Sequence, residues 1–140
     1  MSPDEIKTRI VEEIKARAYD DKYIDRNEER EIVRLAIELG VTVESALAAL
    51  NQVCDEYDYL LESRVTRQIA ERLATAGDGK MDRREFDAVF GDAKRVVVGK
   101  KTDREVKRMV VSVMEATGHN RVKTGWFNNW YAALKKDLGV

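Results

Sequence analysis

The chain has 140 residues, 44% hydrophobic and 36% charged, with 25 Lys and Arg against 26 Asp and Glu and a single cysteine. That length suits one domain, burying roughly two-thirds of its unfolded surface. One cysteine excludes an intrachain disulfide and a thiolate metal cluster, and no apolar run approaches the ~20 residues that cross a bilayer. The balanced charge hides a split, with residues 1–90 at net −7 and residues 91–140 at net +6. Either the two ends attract each other, or an acidic face meets cations and a basic face meets anions.

The opening Met1-Ser2-Pro3-Asp4-Glu5 is acidic where a secretion signal is basic and then apolar, so a cytoplasmic protein is expected. Ser2 to Glu5 also has capping-box spacing with proline at the first helical position. It predicts a helix from Pro3 to about Ala18, with Ile6, Ile10, Val11 and Ile14 as its apolar stripe. After the acidic turn Asp21 to Glu28, a second helix begins at Asp25, carries Ile32, Val33, Leu35, Ala36 and Leu39, and stops at Gly40. Thr42 caps a third helix, which buries Ala46, Leu47, Leu50 and Val53, with Cys54 packed nearby as a small hydrophobe. A fourth runs from about Asp58 to Ala76 with Leu60, Leu61, Val65, Ile69 and Leu73 inward.

A second acidic turn, Asp78 to Glu85, opens helix five, with Phe86, Val89, Phe90, Ala93, Val96 and Val97 on its buried side. Gly91 inside that helix costs ~1 kcal/mol relative to alanine, which suggests a bend or a close contact there. Thr102 to Glu105 is another capping box, and helix six runs through Val106, Met109, Val110, Val113 and Met114 to Gly118. A polar turn, His119 to Lys123, leads to a last helix near Thr124 to Leu138. No strand shows convincing alternation. The expected fold is all-α: residues 1–140 as one compact bundle of six or seven mostly antiparallel helices.

The two acidic turns are copies of one motif. Asp21-Lys22-Tyr23-Ile24-Asp25-Arg26-Asn27-Glu28 and Asp78-Gly79-Lys80-Met81-Asp82-Arg83-Arg84-Glu85 lie 57 positions apart and share four of eight residues. Two roles are open to them. Asp25 with Glu28, and Asp82 with Glu85, have the spacing of a helix cap with its reciprocal partner, each cap contributing about 1 kcal/mol. Capping does not call for Asp21 or Asp78, however, and three carboxylates on one turn offer the hard oxygens that suit Ca²⁺ or Mg²⁺. The second copy also fits the latter half of an EF-hand loop, with Gly79 as its sixth residue and Glu85 as its twelfth. Ala74 and Ala76 then stand at two ligand positions, as Arg17 and Tyr19 do in the first copy, so a true EF-hand is not expected. A loop of three ligands holds an ion weakly, and six carboxylates share one only where the fold brings the turns together.

In an all-helical chain of this length, these turns resemble those of the tellurite-resistance TerB family, whose pattern is Asp-Gly-x-apolar-x-x-x-Glu. Asp78 to Glu85 is the nearer match. The first copy, followed by Arg34 to Val41 with its Leu39-Gly40 ending, is similar, although Lys22 stands where the pattern has glycine. The resemblance spans about residues 4–118. It implies a compact helical, non-enzymatic domain that binds metal ions or assembles stress-response complexes, with Asp21, Asp25, Glu28, Asp78, Asp82 and Glu85 as the candidate ligands.

Trp126, Phe127, Trp130, Tyr131 and Leu134 form an apolar face that either closes the bundle or docks a partner. Upstream, Lys94, Arg95, Lys100, Lys101, Arg104, Lys107 and Arg108 are crowded together, with Arg121 and Lys123 beyond, so Trp126, Trp130, Lys100 and Lys101 are candidate partner contacts. His119, Ser112 and Cys54 form no catalytic pattern, and no phosphate-binding glycine loop is present. The expected function is a non-enzymatic binding module with an acidic surface that holds Ca²⁺ or Mg²⁺ weakly, if any cofactor, and acts through a protein partner. The alternative is an anion- or nucleic-acid-binding protein using the basic stretch Lys94 to Lys123.

Overall fold

A computed structural model describes residues 1–76, 80–97, 99–124 and 129–140. Among them are seven α-helices and one small sheet, in the order α1 (Pro3–Arg17), β1 (Tyr23–Ile24), α2 (Arg26–Glu38), α3 (Val43–Tyr57), β2 (Leu60–Leu61), α4 (Glu62–Thr75), α5 (Arg83–Val97), α6 (Asp103–Thr117) and α7 (Trp130–Leu138). The all-α expectation holds. The chain divides into two compact units, Met1–Arg64 and Val65–Val140, and the division falls inside α4. A boundary within a helix leaves no linker to mark it.

Both units follow one plan, so the repeat extends well beyond the eight-residue motif. After the acidic turn, α2 and α5 each begin behind an aspartate, Asp25 and Asp82, that accepts a hydrogen bond from the glutamate amide three residues on. Gly40 (φ 90°) and Gly99 (φ 75°) lie in the connections that follow. Thr42 and Thr102 then cap α3 and α6, which end on left-handed residues, Asp58 (φ 58°) and Gly118 (φ 77°). Beyond each, the chain returns to pair beside the turn: Leu60–Leu61 with Tyr23–Ile24, and Val122 with Met81, both parallel.

These short strands correct the sequence reading, which assigned Leu60 and Leu61 to helix four. Asp58 instead closes α3, with Tyr59 N–H donating to Cys54 O at 2.9 Å, and α4 starts only at Glu62. Tyr23 and Ile24 are buried, so their main-chain groups need partners that a two-residue strand supplies. In the first unit the core gathers Ile10 and Ile14 of α1, Ile32 and Ala36 of α2, Leu50 and Cys54 of α3, and Ile24 and Leu61 of the strands. Each large aliphatic side chain buried there contributes roughly 1.5–3 kcal/mol. Arg26 N–H donates to Glu62 Oε2 at 2.8 Å and Ser63 Oγ–H to Glu29 at 3.1 Å, which ties the start of α2 to the start of α4.

In the second unit Val65, Ile69 and Leu73 of α4, Phe86, Val89 and Ala93 of α5, and Val106, Val110 and Met114 of α6 are buried. Val96, expected inside, is 37% exposed. Glu115 fastens α7 to α6. It accepts from Tyr131 Oη–H at 2.8 Å and lies 2.9 Å from Lys135 Nζ. Asn120 also donates to it, at 2.8 Å. Together these donors, Lys135 first, hold the Glu115 carboxyl down at about 2.

Two predictions follow from these contacts. Gly91 meets nothing closer than Arg95 Nη1 at 3.9 Å, so no close contact requires glycine there. Gly91→Ala is expected to stabilise the protein by about 0.5–1 kcal/mol in urea unfolding. A depressed carboxyl contributes stability that is present above its unfolded value and lost as pH falls through its folded one. The gap between wild type and Glu115→Gln, about 1 kcal/mol at neutral pH because the pair is partly exposed, should therefore hold above the ordinary glutamate value of 4.5 and close as pH approaches about 2.

Candidate functional site

The first acidic turn begins where α1 runs out at Ala18, whose carbonyl accepts from Lys22 N–H at 2.9 Å. Asp21 Oδ1 then accepts from Tyr23 N–H at 3.0 Å, an aspartate bonding its own backbone two residues on. That closure places Lys22 in left-handed backbone, φ 55°. The lysine at the position that Gly79 holds in the second copy of the motif thus takes up a conformation that glycine adopts without cost. Tyr23 and Ile24 pair with β2, and Asp25 opens α2 with a complete capping box: Asp25 Oδ1 accepts from Glu28 N–H at 2.8 Å, and Glu28 Oε1 from Asp25 N–H at 3.1 Å.

All three carboxylates of this turn therefore have main-chain work, including Asp21, which capping alone did not explain. Glu28 is raised above the usual glutamate range, first by burial and then by the charges of Asp25 and Asp21, against the Asp25 amide and Arg17. The three acids thus act on one another electrostatically. Even so, among the described residues no group of three or more His, Cys, Asp or Glu side chains is gathered to hold a metal ion. Asp21, Asp25 and Glu28 each direct one oxygen to a backbone amide.

The second turn repeats the reciprocal pair, Asp82 N–H to Glu85 Oε1 at 3.3 Å and Glu85 N–H to Asp82 Oδ1 at 2.8 Å. Its first carboxylate, Asp78, and Gly79 lie outside the described residues. Met81 N–H donates to Arg121 O and Lys123 N–H to Met81 O, both at 2.7 Å, which brings Lys123 Nζ to 3.9 Å from Glu85 Oε1. Glu85 Oε2 differs from its counterparts: it is buried without a hydrogen bond among the described residues. The two turns belong to different units.

The expected partner contacts fare differently. Trp126 and Phe127 lie outside the described residues. Trp130 is buried at 6% exposure, packs at an angle to the Phe86 and Tyr131 rings, and donates Nε1–H to Lys123 O at 3.0 Å. It is a core anchor, which corrects its reading as a docking residue. Lys101 is half-buried and lies 3.7 Å from Glu105, and Lys100 beside it is also half-buried. Elsewhere in the basic stretch Lys94 pairs with Asp103, Arg95 with Asp92, Arg104 donates to Asp137 O, and Lys107 lies over the Phe90 ring. Cys54 is buried, and burial pushes its thiol up to about 11, the opposite of an activated nucleophile.

Two surface grooves were not read from the sequence. In the second unit, one of about 480 Å³ between α4 and α5 is floored by Val65, Ile69, Val89 and Ala93, and Asp92 on its wall pairs with Arg72 and Arg95. In the first unit, one of about 400 Å³ between α2 and α3 is lined by Arg26, Arg30 and Arg34 around Val33, Ile37 and Leu47, with Glu29 and Glu38. The four-residue spacing of those arginines was the signal that could have found it. Comparison with known proteins gives no lead: no family model, no curated protein and no solved structure matches the chain.

Lys22→Gly tests the turn. Relief of the left-handed cost, partly offset by glycine's greater freedom when unfolded, is expected to raise stability by about 1 kcal/mol in denaturant melts. A loss would mean that the lysine side chain contributes more than the backbone conformation costs.

Proposed function

We propose that the chain is a non-enzymatic binding module that acts through a protein partner, its acidic turns serving first as joints that set one helix against the next. The observation carrying this reading is Ile37, an isoleucine 50% exposed on α2 and lining a groove with three arginines. Ile37 is not isolated: with Val33 and Leu47 it makes an apolar centre rimmed by charged side chains, the arrangement that recognition surfaces share. Nucleic-acid binding through Lys94 to Lys123 has less support, because most of those cations already face carboxylates, a carbonyl or an aromatic ring. Native extract passed over the immobilised full chain should leave a saturable protein ligand that survives nuclease treatment. An eluate emptied by nuclease, or no retention, would overturn the reading.

A second reading keeps the divalent cation at the second turn alone, favoured by the buried, unbonded Glu85 Oε2. Asp78, Asp82 and Glu85 would supply the oxygens. At about ten times a millimolar dissociation constant, linkage gives ~1.4 kcal/mol, a rise in melting temperature of roughly 5 °C. Calcium or magnesium should produce that rise in wild type and not in Glu85→Gln. A flat melt in both ions leaves the second turn as a joint like the first.

A further inference from the structure

Resting on the reading of the chain as a protein-binding module, we infer that the α2–α3 groove of the first unit docks an acidic amphipathic helix of the partner. Arg26, Arg30 and Arg34 recur every four residues, a row about 12 Å long on one side of α2. All three are exposed, and neither Arg30 nor Arg34 has a carboxylate within ion-pair distance among the described residues. Like charges at this spacing repel along a helix, and anions settling between them relieve that repulsion. Val33 and Ile37, one turn apart, join Leu47 of α3 as an apolar floor beside it.

The repeat shows that the fold itself does not demand this face. At the corresponding places, 57 residues on, α5 carries Arg83, Asp87, Gly91 and Lys94 in place of Arg26, Arg30, Arg34 and Ile37. There Arg83 pairs with Asp87 at 3.2 Å, and Lys94 with Asp103. The α4–α5 groove likewise balances its charges internally, through Asp92. In the α2–α3 groove, by contrast, an apolar floor lies beside Arg30 and Arg34, which pair with no carboxylate among the described residues. Its complement is a helix with leucine or isoleucine at i, i+3 and i+4 for the floor, and Asp or Glu along the flank for Arg30 and Arg34. A polyphosphate backbone gains nothing from Val33, Ile37 and Leu47, so a segment with apolar side chains beside its carboxylates is the better fit.

The test uses the full chain and a fluorescent synthetic helical peptide with leucines at that spacing and glutamates on their flank. Binding is expected to weaken with added salt. It should fall about tenfold in Arg30→Glu/Arg34→Glu and, independently, in Ile37→Ser, each checked for unchanged helicity, while Arg108→Glu stays within about twofold. Four outcomes overturn the groove: no binding, affinity unchanged in either variant, equal affinity for a peptide with serines in place of the leucines, or an oligonucleotide that displaces the peptide. Failure here with protein still retained from extract removes the groove and leaves the broader reading. Failure of both removes both.

Discussion

A chain that leaves one helix and crosses a core before starting the next carries amide and carbonyl groups that water does not reach. Most of this architecture follows from how those groups are satisfied. Within each acidic turn an apolar residue dives inward, Ile24 in one unit and Met81 in the other, and a returning segment pairs with it. That return requires a helix on each side and a reversal at the far end, which is where the left-handed Asp58 and Gly118 sit. The carboxylates flanking the inward residue complete the scheme. Asp25 and Asp82 accept from amides in the first turn of the next helix, and Glu28 and Glu85 from the amides of those two aspartates, so the helix direction is fixed where it emerges.

Helix positions were legible because their ends carry chemistry at fixed spacing. Ser2, Thr42 and Thr102 cap where the sequence says, and α1, α3 and α6 fall within a residue or two of expectation. The strands were illegible because alternation needs several residues, and Tyr23–Ile24 and Leu60–Leu61 offer only two each. Consecutive apolar residues read equally well as the start of a buried helix. The division into units was hidden for a related reason, since continuous helix carries the chain across it.

At the candidate site, the capping half of the motif was readable and the rest was not. What Asp21 does depends on the backbone angle of Lys22, which no residue count reveals. Net charge by segment misled in both directions. The basic C-terminal third is largely paired within its own unit, whereas the segment with net −7 contains the arginine row. Sums along a chain ignore which charges the fold sets face to face, and pairing, not composition, decides what a surface offers a partner.

The placement of two side chains makes the halves of this molecule separately observable. Cys54, the chain's one sulfhydryl, is enclosed in the first unit, so alkylating reagents reach it only when that unit opens. Trp130 is shut among Phe86 and Tyr131 in the second, where its emission senses loosening of that neighbourhood. Labelling kinetics and fluorescence, followed together through one denaturation series, would therefore reveal whether the duplicated halves melt as a single cooperative body or in turn.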